Sequence, residues 1–257
     1  MDGAVRRVGG AGGCARPTDR RGVVGGARSR EYACAMQTIA DGVILLPLAP
    51  RFGLNAFLLG ETVLVDTGMP FHYGRIRRQL EGRRLDRIVL THAHIDHAGS
   101  VARTSADHGA EVLCGAADLA DLAAGISPPI RLGQPLNPIQ RAIVRYRPLR
   151  AVALRDGDKV GAGFVAVDTR GHTPGHHSLW REKDRVLIAG DALFGVSTRL
   201  RTGVFPPPKV DQPEPENCRR AIARLAELRP EIIAFGHGPP LVTDAAHQLA
   251  ALAATLR

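Results

Sequence analysis

Cysteine is scarce in this chain, and no two cysteines stand close in sequence. Cys14, Cys34, Cys114 and Cys218 form no CxxC pair. That argues against a disulfide framework or a thiolate zinc site and fits a reducing, cytoplasmic setting. Cys114 and Cys218 read as small buried apolar groups rather than reactive thiols. Long apolar runs are missing as well. The longest, such as Val43 to Leu46 and Ala56 to Leu59, are far shorter than the ~20 residues that cross a bilayer. No apolar stretch follows the early arginines, so a secretory signal is not expected, and serine is too sparse there for a transit peptide. No Ser/His or Cys/His arrangement supplies a protein nucleophile.

What is present suits a soluble globular protein: 257 residues, 44% hydrophobic and 23% charged, enough to bury a substantial core. The net charge of +9 is uneven. Residues 1–35 carry +4 of it, and the rest is spread over arginine-rich stretches at 75–87 and 131–155. Such a spread reads as a solvated surface, and nucleic-acid binding is not expected from it. Residues 1–35 are rich in Gly and Arg and too poor in large apolar groups to offset the entropy of ordering. They read as a disordered extension or a mis-assigned start ahead of Met36, with residues 36–257 as a single domain.

From Gln37 onward the pattern becomes short apolar runs. Gly42 to Leu48, Leu54 to Leu59 and Thr62 to Val65 read as strands, the last two joined by a turn at Gly60-Glu61. Pro70 opens a helix running to about Leu80. Arg87 to Leu90 reads as a buried strand leading into a histidine-bearing loop and a helix from about Gly99. Glu111 to Cys114 follows as a strand and Ala116 to Ala124 as a short helix. Residues 125–150 hold five prolines and five arginines, a length that suits a lid or substrate wall. Strands resume at Ala151–Leu154, Phe164–Thr169, Ser178–Trp180 and Val186–Ala189, with a turn at Asp156-Gly157-Asp158. A second irregular loop, about 195–215, precedes a helix from Glu216 to Leu228 whose Ile222, Leu225 and Leu228 share a face. Glu231 to Phe235 is the last strand, and a final helix begins near Asp244 with Thr243 as its cap.

The chemistry lies where strands end. Ile88-Val89-Leu90 runs into Thr91-His92-Ala93-His94-Ile95-Asp96-His97. Four metal-binding side chains in six residues cannot all point one way on a strand or a helix. On a tight loop they can divide between two metals, His92 and His94 on one, Asp96 and His97 on the other. Three further stretches also follow strands: Gly171-His172-Thr173-Pro174-Gly175-His176, Ala189-Gly190-Asp191-Ala192 and Phe235-Gly236-His237-Gly238. Each is weak alone, but their order after an HxHxDH motif is specific. Imidazole and carboxylate donors suit zinc, and equally iron or manganese. Two cations ~3.5–4 Å apart can share a carboxylate, and zinc lowers the pKa of a bound water to ~7. Hydroxide is thus the expected nucleophile, with Asp96 placed to orient it.

These motifs resemble the metallo-β-lactamase superfamily, and the resemblance covers about residues 37–257. It implies an α/β fold, a four-layer αβ/βα sandwich of two mixed β-sheets with helices on both outer faces. It also implies that His92, His94 and His172 hold one metal and Asp96, His97 and His237 the other, with Asp191 bridging. Asp96 and Asp191 are then the catalytic carboxylates. Asp66, in Leu64-Val65-Asp66-Thr67-Gly68, is implied to orient the ligand loop without being a ligand. His176, four residues after His172, reads as a structural support of the site, and His177 as an ordinary side chain.

Aspartate at 191 argues against a β-lactamase, where the resemblance leads one to expect Cys or Ser. With His97 it points to glyoxalase II-like and lactonase-like hydrolases. Only 20 residues follow His237, which weighs against a glutathione-binding helical region. Asp191-Ala192-Leu193-Phe194 lacks the tyrosine characteristic of N-acyl homoserine lactonases. The expected activity is hydrolysis of an ester, thioester or lactone by two divalent metal ions, zinc foremost. The alternatives are an iron persulfide dioxygenase, with one iron on His92, His172 and Asp191, and an RNase Z-like phosphodiesterase, for which no RNA-binding arm is visible. Arg131, Arg141, Arg145, Arg147 and Arg150 could draw an anionic substrate, although a solvated surface explains them as well. The expected partner is a small-molecule substrate, with no membrane; the oligomeric state is open, a dimer included.

Overall fold

The computed structural model describes residues 35–128 and 144–256. The expectation for the N-terminal extension therefore lies outside the described residues except for its last one. So do Arg131, Arg141 and the middle of the segment expected to be a lid.

The first sheet has seven strands in sequence order: β1 (Gln37–Ala40), β2 (Val43–Pro47), β3 (Asn55–Leu59), β4 (Val63–Val65), β5 (Arg87–Val89), β6 (Glu111–Gly115) and β7 (Val152–Leu154). The first four strands form an antiparallel meander, and β4 to β7 run parallel. Parallel neighbours require crossovers. These contain α1 (Tyr73–Gln79), α2 (Ile95–Ala98), α3 (Val101–His108) and α4 (Leu119–Ala124). The second sheet contains β8 (Lys159–Gly161), β9 (Phe164–Asp168), β10 (His177–Arg181), β11 (Val186–Ile188) and β14 (Ile232–Ala234), in the order β14-β11-β10-β9-β8. A separate hairpin pairs β12 (Phe194–Val196) with β13 (Thr202–Phe205). Two further helices, α5 (Pro215–Glu227) and α6 (Ala245–Thr255), complete the chain.

Strand alternation builds the layers. In β2 and β3, Val43, Leu45, Phe57 and Leu59 face the middle of the molecule. Leu46, Ala56 and Leu58 face the opposite way, towards Ile76, Val101 and Leu122 of α1, α3 and α4. In the second sheet, Phe164, Ala166, Val186 and Ile188 meet the first sheet's inner face. Val167, Leu187 and Ile233 instead pack on Ile222 and Leu225 of α5 and Leu249 of α6. Three apolar interlayers make four layers, the sandwich expected. Both faces of each central strand are covered, so the strands read as continuous apolar runs.

Several boundaries differ from expectation. The histidine loop is only half a loop: His92 and His94 precede α2, while Asp96 and His97 lie within it. The helix expected from Gly99 starts at Val101. The strand expected at Ser178–Trp180 extends by one residue at each end, which places a buried His177 in β10. Loop 195–215 contains most of the β12–β13 hairpin, and β1 and β8 are additional strands. Thr243 does not cap the last helix. Asp244 holds that position in a left-handed conformation (φ 56°), without a side-chain capping bond.

Candidate metal centre

Parallel register brings the strand ends together. Val65 pairs with Val89 in the first sheet and Ile188 with Ala234 in the second. The residues after β4, β5, β9, β11 and β14 consequently converge at one edge of the sandwich. Asp66, His92, His94, His97, His172, His176 and Asp191 are all buried there, and Asp96 and His237 are partly open.

The donor atoms fall into overlapping groups, within each of which they lie within 4.8 Å of one another. In one group, His94 Nδ1 lies 3.0 Å from His92 Nε2 and 2.9 Å from His172 Nε2. In another, Asp96 Oδ2 lies 3.3 Å from His237 Nε2 and 3.8 Å from His97 Nε2. Asp191 sits between them. Its Oδ1 is 3.4 Å from His97 Nε2, and its Oδ2 is 3.5 Å from His172 Nε2 and 3.3 Å from His237 Nε2. His97 Nε2 and Asp191 Oδ1 are buried yet make no hydrogen bond. Orphaned buried polar atoms are costly, and a cation between them satisfies both. The residues present fit a metal site.

The outward ring nitrogens of His92, His97, His172 and His237 are tied down, while that of His94, Nε2, is buried without a partner. His97 Nδ1 lies 2.9 Å from Asp66 Oδ2, His172 Nδ1 2.9 Å from the Asp211 carbonyl, and His237 Nδ1 2.6 Å from the Gly53 carbonyl. The Thr91 hydroxyl donates to Asp66 Oδ2 (2.9 Å), so its oxygen is free to accept from His92 Nδ1 at 3.1 Å. A proton held on the outer nitrogen leaves the inner lone pair for a metal. Asp66 also accepts from the Thr91 N–H (2.8 Å) and does so from a left-handed backbone, φ 59°. Such a conformation costs a non-glycine residue ~1–3 kcal/mol, to be offset by these bonds. His176 accepts from the Asp191 N–H at Nε2 (3.0 Å) and therefore donates from Nδ1 to the Thr169 hydroxyl (2.8 Å).

Charge is divided across the centre. Burial pushes His92 and His94 down, His94 to about 3, and neighbouring imidazoles add to the effect. Burial opposes charge on His97 and His237 too. There Asp191, helped by Asp66 at His97 and by Asp96 at both, outweighs it, raising His97 well above the usual range and His237 to about 10. Burial likewise raises Asp96 and Asp191, but His97 and His237 outweigh it and hold both carboxyls low. His92 and His94 are thus neutral imidazoles, and the side built from Asp96, His97 and His237 is charge-rich.

Four structural contributors carry no sequence motif. Asp118, fully buried, accepts from the Ala93 N–H (3.1 Å), the Thr173 hydroxyl (2.7 Å) and the Gly175 N–H (2.7 Å), joining the two histidine-bearing loops. Asn55 Nδ2 donates to the Phe235 and Gly238 carbonyls, both at 2.9 Å, and so fixes the loop that carries His237. The Tyr146 hydroxyl donates to the Ala93 carbonyl (2.8 Å). Phe194 stacks on His237 with ring centroids 5.1 Å apart. The only available signal was that Asp118, like Asp66 and Asp191, follows a strand end. The centre opens into a cavity of about 240 Å³ bounded by Asp96, Ser127, Val144, Phe194, Asp211 and His237. Its walls thus draw on both irregular segments singled out in the sequence.

The family model for the metallo-beta-lactamase superfamily matches residues 49–237. The chain belongs to the metallo-beta-lactamase superfamily. It is a metallo-hydrolase of that superfamily, with an HxHxDH-type site built from buried His/Asp clusters. A probable metallo-hydrolase of Bacillus subtilis is 31% identical over 200 residues, covering 70% of this chain and 76% of that protein. A hydroxyacylglutathione hydrolase of Bdellovibrio bacteriovorus is 28% identical over 73% of this chain and 64% of its own length. Among solved structures, a metallo-beta-lactamase family protein of Thermus thermophilus aligns with a TM-score of 0.62 at 25% identity, covering 85% of this chain and 80% of that one. A subclass B3 metallo-beta-lactamase of Bradyrhizobium japonicum aligns at 0.63 with 21% identity, over 89% and 94% of the two chains. That likeness shows the fold alone. Among the described residues, no helix is long and apolar enough to cross a membrane.

Proposed function

We propose that this superfamily member hydrolyses an ester, thioester or lactone at a two-metal centre, within the glyoxalase II-like and lactonase-like branch. The observation that carries the reading is the placement of Asp191 between two otherwise complete donor groups. His92, His94 and His172 would hold one ion, Asp96, His97 and His237 the other, and Asp191 would join them. Bound divalent ions, zinc foremost and iron or manganese on the same donors, supply Lewis acidity to the acyl oxygen and water acidic enough to ionise near neutral pH. Aspartate at 191 together with His97, and the similarity to a hydroxyacylglutathione hydrolase, support the acyl-hydrolase branch.

The chain's own groups have distinct tasks. Asp96 lines the cavity, where it orients the attacking water, takes its proton and returns it to the leaving oxygen or sulfur. Asp66 and His176 fix His97 and Asp191 from behind. Phe194 and Val144 wall the cavity with apolar surface, which strengthens the electrostatics within it. The test is turnover of a simple ester, a thioester and a lactone before chelation, after chelation, and after zinc is returned. At least one class should be hydrolysed, with activity lost and then regained. Asp191→Ala should lower kcat/KM by more than about a hundredfold. Turnover that survives chelation or this substitution contradicts the reading.

A further inference from the structure

The cavity at the metal centre has polar groups on its walls that holding metal does not use. Asp211 is the first. Its backbone is fixed, the N–H donating to the Pro208 carbonyl (2.7 Å) and the carbonyl accepting from His172 Nδ1 (2.9 Å). Its side chain is half-buried on the cavity wall and makes no hydrogen bond or ion pair with any described residue. The other carboxylates around the centre differ. Asp66, Asp96 and Asp191 each meet an imidazole, and Asp118 accepts three hydrogen bonds. Burial pushes the Asp211 carboxyl up, His172 and His237 oppose that, and Asp191 and Asp96 add to it. All four belong to the centre, so the carboxyl as well as the backbone faces it.

Two further side chains on these walls are more than nine-tenths buried and have a hydrogen to give. Ser127, 5% exposed, accepts from the Ile95 N–H at Oγ (3.2 Å), and its own O–H meets no acceptor among the described residues. His94, 6% exposed, turns Nδ1 towards His92 and His172, which leaves its proton on Nε2. That nitrogen is buried without a hydrogen bond. Buried donors left unmet are costly. Pro128, Val144 and Phe194 supply apolar wall, and no Lys or Arg among the described residues lines the cavity. Two neutral donors and one anionic acceptor, with no fixed cation beside them, suit a ligand that presents oxygen to the donors and a cation to the carboxylate.

We infer that Asp211 selects a substrate whose acid portion carries a protonated amine, with Ser127 and His94 donating to oxygen of the same portion. The inference rests on the hydrolase reading, because that reading places the scissile bond at the centre. Asp96, which returns the proton to the leaving group, belongs with His237 to one donor group. The other side, with His94, His172 and Asp211, is left to the acid. The substrate is thereby narrowed to an ester, thioester or lactone of an amino acid whose amine is free and charged.

The test is binding to the metal-loaded protein, measured by calorimetry with two pairs of acids, γ-aminobutyrate with pentanoate and δ-aminovalerate with hexanoate. Within each pair an ammonium group replaces a methyl group at equal chain length. In at least one pair the amino acid should bind about tenfold more tightly. Asp211→Asn, which keeps the size of the side chain and the backbone bond to His172, should reduce that preference to about twofold or less, and Asp211→Ser should do the same. Ser127→Ala should weaken both members of a pair to a similar degree; unchanged affinities there would overturn the part given to Ser127. Equal affinities within both pairs in the unaltered protein, or a preference that survives both substitutions of Asp211, would overturn the assignment. A protein with the preference that hydrolyses no acyl compound keeps the role of Asp211 and loses the hydrolase reading. A hydrolase without the preference does the reverse.

Discussion

Asp118 and Tyr146 hold the Ala93 peptide from opposite sides, one at its N–H and the other at its carbonyl. Since Ala93 separates His92 from His94, both side chains act on the spacing of those imidazoles. Burial raises the Asp118 carboxyl, against three hydrogen bonds that favour its ionised form. Asp118→Asn presents an amide to at least one donor it cannot accept from. The loss expected is about 2–3 kcal/mol of unfolding free energy, since hydrogen bonds to charged groups contribute ~1.5–3 kcal/mol. Urea melts measure it, and a loss under about 0.5 kcal/mol would show the cross-link to be idle. Tyr146→Phe removes one neutral bond and should cost about 1 kcal/mol. Competition against a chromogenic chelator should also show metal held about tenfold more weakly, as for other groups that orient ligands.

At the scale of elements, the sheets were legible and the one-turn pieces were not. Runs such as Val43 to Leu46 and Ala56 to Leu59 announce strands because both of their faces are buried. The ligand positions were readable for a related reason: each follows such a run. Asp96 and His97 fall in a four-residue helix, too short for any periodic signal. The β12–β13 hairpin has strands of three and four residues and depends on tertiary contacts. A Cβ at Gly195 would meet Phe235 and the Pro239 carbonyl at 2.6 and 2.7 Å, so glycine is needed there for close approach to the loop after β14. Nothing local in the sequence reveals that neighbour. The last helix lacks the expected cap and is held instead by burial of Ala245, Leu249 and Ala253. Phe57, between the sheets, and Phe71, on the surface, differ in the same sense. Phe57→Ala should destabilise by about 3–5 kcal/mol and Phe71→Ala by about 0.5 kcal/mol or less. Equal effects in thermal melts would contradict the layering.

For the whole molecule, the metal centre is also a clasp between the two halves of the sandwich. His92, His94, Asp96 and His97 come from the first sheet's side, and His172, Asp191 and His237 from the second. Ions bound across that seam stabilise the folded state by mass action, about 4 kcal/mol at free metal a thousandfold above Kd. Chelation should therefore lower the Tm, and returned zinc should restore it. An unchanged Tm would mean that the seam is closed without metal. Two ions sharing Asp191, as proposed, would show in elemental analysis of protein purified without added metal. About two zinc or manganese ions per chain is the expected result. About one iron per chain would contradict it and point to single-metal chemistry at His92, His172 and Asp191.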